Sequence, residues 1–113
     1  MQLEAFELVL LRRPTSPTNY DDETLERIQC EHTAFLERMR QEGHALTSGP
    51  VLDQPDESLR GLSIYNVGSI ERARELAQSD PAVVAGRIAL EVMTCWCPLD
   101  SMIQPGTSVT IDD

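Results

Sequence analysis

Two residues in this chain combine a proton-moving side chain with a telling position. His32 follows Leu25 and Ile28 and precedes Phe35, Leu36 and Met39, all at helical spacing. That register turns the imidazole toward whatever the helix packs on. An inward imidazole has two readings. It is either a core histidine satisfied by a backbone carbonyl, or a general acid–base whose basicity is set by burial and neighbours. Asp80 stands directly before Pro81, the pattern of an N-cap followed by proline at the first helical position. Capping uses one carboxylate oxygen and leaves the other free, so a structural and a chemical role are compatible.

The other candidates are weaker. Arg12 ends an apolar run and Arg60 precedes one. Either could hold an anionic oxygen of a substrate, and either could be an ordinary strand-end arginine. Ser48-Gly49-Pro50 brings backbone close to a neighbour, as a substrate-binding wall or as a bulge that ends strand pairing. His44, after Gly43, reads as a solvated residue complementing a helix C-terminus. Cys95-Trp96-Cys97 lacks the two-residue spacing of zinc and redox pairs, and buried small hydrophobes is the better reading. With two histidines and no ligand-spaced cluster, no metal is expected. No glycine-rich phosphate loop or serine elbow is present. All nine basic residues are arginine, so Schiff-base chemistry through a lysine is excluded. The expectation is chemistry without metal or cofactor.

Residues 2–12 read as a strand that is apolar on both faces at Leu8-Val9-Leu10-Leu11, and so central in a sheet. A polar loop leads to Asp21 or Asp22 as N-cap of a helix running to about Glu42, with Gly43 after its last turn. Strands are predicted over 45–52 and 61–67, a helix over 70–79, a short turn over 81–85 and a last strand over 88–96. The order is βαββαβ: a ferredoxin-like α+β fold, a four-stranded antiparallel sheet with both helices on one face. Right-handed crossovers place the first and third strands at its centre. The two helices then run roughly parallel. His32 lies about 10 residues, or ~15 Å, into the first, and Asp80 about as far from the start of the second. The topology predicts that they meet. The sheet's other face is left with apolar residues from the first strand, and with Tyr65 or Trp96. Association of two copies through that face is expected.

The chain has 113 residues and a globular composition, 41% hydrophobic and 25% charged. One domain over residues 1–97 is expected, with 98–113 a tail holding one possible extra strand at 108–111. The formal charge of −10 weighs against a nucleic-acid partner. No apolar run reaches the ~18 residues of a membrane span. Met1-Gln2-Leu3-Glu4 lacks the basic start of a signal peptide, and three cysteines make an odd number. The expectation is a reduced, cytoplasmic protein without membrane contact.

Taken together in order and spacing, several segments resemble the YciI-like (YCII-related domain) family. They are Val9-Leu10-Leu11-Arg12-Arg13-Pro14, His32 before Phe35-Leu36, Glu42-Gly43, Gly49-Pro50, Arg60-Gly61-Leu62, Ala73-Arg74-Glu75-Leu76-Ala77, Asp80-Pro81-Ala82-Val83, Ala85-Gly86 and Trp96. The resemblance implies a dimeric α+β barrel. It also implies that His32 and Asp80 match the His and Asp on which the family's suspected enzymatic role rests. The chain departs from the pattern at Met93-Thr94-Cys95, where a His-Pro pair is usual, and adds the tail.

The combined expectation is cofactor-free proton transfer on a small cyclic or aromatic compound, of lyase, isomerase or dehydrohalogenase type. His32 would move the proton, Asp80 would orient it, and Arg12 or Arg60 would hold an anionic oxygen beside Ser48 and Gly49. The rival is a non-catalytic ligand-binding or accessory homodimer in which His32 and Asp80 are a buried structural pair.

Overall fold

The computed structural model describes residues 1–102. The strand expected at 108–111 lies outside them. The elements are β1 (Leu3–Arg12), α1 (Asp22–Gln41), β2 (Ala45–Pro50), β3 (Leu59–Tyr65), α2 (Ile70–Ala77), α3 (Pro81–Val84) and β4 (Ala89–Pro98). The four strands form one antiparallel sheet in the order β2-β3-β1-β4, with β1 and β3 central as the topology requires. No described helix is long and apolar enough to cross a membrane.

Local chemistry sets the ends of α1. The Asp21 side chain accepts the Thr24 N–H at 2.8 Å and caps the first turn. At the other end, Gly43 N–H reaches Arg40 O at 3.1 Å and His44 N–H reaches Met39 O at 3.0 Å. This double closure requires Gly43 at φ +81°, a conformation that glycine adopts without strain. Between the caps, Ile28, His32, Phe35 and Met39 are buried on one stripe.

Alternation along β1 decides what each face carries. Val9 and Leu11 lie in the core with Phe35, Met39, Ala45, Tyr65, Ala73 and Ala77. Burying such aliphatic and aromatic side chains contributes roughly 1.5–3 kcal/mol each. Leu8 and Leu10, opposite Ile64 and Leu62, fall on the other face and are only half-buried. Tyr65 and Trp96 are not on that face. Tyr65 is 1% exposed and pairs with Glu7, and Trp96 lies opposite Ala5, in phase with Val9. Strand period alone decides this, because residues two apart share a face.

Candidate active site

The stripe on α1 carries His32 into the molecule one turn after Ile28, and the imidazole is 11% exposed. The Asp80 carboxylate comes from the other side. Asp80 caps α3, its Oδ1 accepting the Ala82 N–H at 2.9 Å, and the residue is 2% exposed. The second oxygen, Oδ2, is 2.6 Å from His32 Nδ1. Both carboxylate oxygens are therefore used, one by backbone and one by imidazole. If Asp80 is ionised, Nδ1 is the protonated nitrogen, and a neutral ring then carries its basic lone pair on Nε2.

Tyr65 reports on the same charge. Burial, aided by the nearby Asp80 carboxylate, pushes its phenol up to about 12.

His32 lies on the wall of a cleft of about 820 Å³ between α1 and the β2 side of the sheet. Leu11, Leu25, Ile28 and Ile88 give it apolar surface. Ser48, Gly49 and Arg60 also line it. Ser48 donates to Ser63 Oγ at 2.8 Å, which ties the β2 wall to the sheet. A close approach shapes this wall: a Cβ built on Gly61 would lie 2.9 Å from Gly49 O. Only a glycine at 61 lets the two strands run this near each other.

Arg12 does not line the cleft, which corrects its expected place beside the substrate. Its guanidinium is paired with Glu91 and, at 2.9 Å, with Asp56. Glu91 holds Arg12 above its ordinary value, with Asp56 adding to the effect. The reason is alternation: Arg12 is in phase with Leu8 and Leu10, whereas Leu11 and Arg13 reach the cleft. Arg13, Arg40 and Arg87 are lining residues that the sequence reading missed. The signal for Arg13 was its two-residue spacing from the inward Leu11. Arg87 follows the turn at Gly86 and had no comparable signal. Glu7 was also missed. It is 3% exposed and its Oε1 accepts the Val67 N–H at 2.7 Å, fastening the turn before α2.

The remaining candidates stay apart from the cleft. His44 is half-buried with Nε2 3.7 Å from Glu42. Cys95 and Cys97 are free thiols, 3.8 Å apart on β4. Among the described residues no group of three or more His, Cys, Asp or Glu could hold a metal ion.

Fold and site together define a ferredoxin-like α+β domain in which His32 lines a cleft and the buried Asp80 stands behind it, not on the wall. Within that class the chain belongs to the YCII-related domain family, whose model matches residues 8–96. No curated protein matches the chain. Among solved structures, it is similar to a muconolactone isomerase, with a TM-score of 0.64 at 16% identity over 91% of this chain and 99% of that one. It is also similar to a 5-chloro-2-hydroxyhydroquinone dehydrochlorinase from Burkholderia phenoliruptrix AC1100, in complex with 2,5-dihydroxybenzoquinone. That match has a TM-score of 0.50 at 20% identity, over 79% of this chain and 89% of that one. At these identities the likeness is one of fold.

Proposed function

We propose that the cleft is an active site for cofactor-free proton transfer on a small cyclic or aromatic compound, a lyase, isomerase or dehydrohalogenase step. The observation that carries this reading is the 2.6 Å contact from the buried Asp80 to Nδ1 of His32, which itself lines the cleft. A carboxylate at Nδ1 selects the tautomer with a basic Nε2 and stabilises the imidazolium that forms when that nitrogen takes a proton. A burial that excludes water from Asp80 strengthens this coupling. Arg60 would stabilise a developing oxyanion, and Ser48 and the Gly49 backbone would position the ring. Two enzymes of related fold act on, or hold, small cyclic molecules, which supports the substrate class.

The working unit is proposed to be a homodimer in the cytoplasm. The half-buried Leu8, Leu10, Leu62 and Ile64, on the sheet face that no described helix covers, support association, and three free thiols suit a reducing compartment. The accessory-dimer reading draws on one observation: Asp80 also caps α3, a structural use that needs no chemistry.

A panel of cyclic lactones, enones and halogenated hydroquinones, followed by absorbance and chloride release, tests the proposal. The expected result is turnover of at least one class by the wild-type protein and its loss in His32→Asn. Compounds that bind in the cleft without any being converted would favour the ligand-binding role.

A further inference from the structure

Arginines are not spread evenly over this molecule. Four of the nine, Arg13, Arg40, Arg60 and Arg87, line the one cleft that holds His32, and the only acidic residue lining it is Glu37. The chain as a whole carries −10. The cleft is thus a positive patch on a strongly negative protein.

How these arginines are used sharpens the point. Away from the cleft, Arg12, Arg27, Arg38 and Arg72 each have a carboxylate within 4 Å. Within it, Glu37 takes Arg40. Arg13, Arg60 and Arg87 have no carboxylate partner among the described residues, and Arg74 on α2 is the one other arginine of which that is true. Arg87 is partly oriented by a 2.9 Å bond from Nη1 to Thr18 O, which leaves its other N–H groups available. Three guanidinium groups without counter-charge among the described residues, around one cleft of mixed polar and apolar lining, are poorly explained by solubility. In a chain with such an excess of Asp and Glu, a neutralising neighbour is easily come by.

We propose that the cleft binds an organic anion, a cyclic compound bearing a carboxylate, which Arg60 and Arg13 hold with Arg87 in support. The guanidinium fork matches a carboxylate in bidentate geometry and is weakly hydrated, so it gives up water at small cost. Leu11, Leu25, Ile28 and Ile88 accept the ring, and His32 faces the bound molecule from α1. The negative remainder of the surface repels anions elsewhere and focuses them here. This deepens the proton-transfer reading, since it assumes that the same cleft is the active site.

Calorimetry on the full chain tests it with benzoate and its neutral isostere benzamide. The expected result is benzoate affinity at least tenfold above that of benzamide. It should fall with added salt, fall at least tenfold in Arg60→Gln or Arg13→Gln, and hold in Arg74→Gln. Equal affinity for the two probes, or no effect of the paired Arg13→Gln and Arg60→Gln changes, would overturn the proposal. The two readings separate cleanly. Anion binding without proton transfer on any bound acid defeats the active-site reading alone, whereas turnover confined to uncharged compounds defeats the anion inference alone.

Discussion

His32 and Asp80 have different replaceable parts. Asn at 32 keeps a polar group of similar reach toward Asp80 but has no basic nitrogen. His32→Asn should fold normally by circular dichroism and lose proton transfer by ~10²–10⁴-fold, the usual contribution of a positioned acid–base group. Asp80 acts twice, through Oδ1 on Ala82 and Oδ2 on His32. Asp80→Ala should therefore lower stability in chemical denaturation by the lost cap, about 0.5–2 kcal/mol, and by an unpaired buried imidazole, about 1–3 kcal/mol. Asp80→Asn keeps the capping oxygen and should retain most of the stability while weakening the catalytic base. Tyr65 offers a readout by pH. Its phenol is pushed from 10.0 to about 12, so the folded state keeps a proton that the unfolded chain releases. Stability from this residue is full below pH 10 and declines as pH rises toward 12. Ultraviolet titration should show one phenolate forming only about pH 12, with the unfolding midpoint falling over the same interval.

At the level of elements, tight contacts carry the geometry. Gly61→Ala places a Cβ 2.9 Å from a backbone oxygen of β2, and backbone cannot swing aside. The expected cost is roughly 1–3 kcal/mol, measured by denaturation, together with weakened ligand binding, because Gly49 and Gly61 both line the cleft. Most of this level was legible in the sequence. The caps at Asp21, Gly43 and Asp80 and the 3.6-residue stripe through His32 are local signals, and each depends only on neighbours in the chain. The His32–Asp80 contact was anticipated from the βαββαβ topology, and Asp80 makes it as the cap of α3. Two things were not legible. Gly61 meets Gly49 across a strand pair, a contact that no local pattern encodes. Arg87 reaches the cleft through a turn whose direction is set by tertiary bonds with Thr18. The period-2 rule also decides the faces of Arg12, Tyr65 and Trp96, and applied strictly it places all three as the structure has them.

At the scale of the whole molecule, the described residues leave one sheet face without helices. Leu8, Leu10, Leu62 and Ile64 form its centre, with Met93 37% exposed beside them. Light scattering should give the mass of a dimer at micromolar concentration, and Leu10→Asp should shift it toward monomer; a clean wild-type monomer would contradict the proposed assembly. Metal chelators should leave stability and ligand binding unchanged, and a stoichiometric metal lost together with stability would show otherwise. The central claim concerns His32 as a base acting on a bound compound, and solvent exchange tests it without knowledge of the full reaction. Cyclic acids that bind the cleft are incubated with the protein in D2O, and deuteration of their acidic C–H positions is followed by proton NMR. The account predicts catalysed exchange at one position by the wild-type protein, reduced at least ~100-fold in His32→Asn with both proteins saturated by the acid. Equal exchange by the two proteins, or none from any acid that binds, would contradict it.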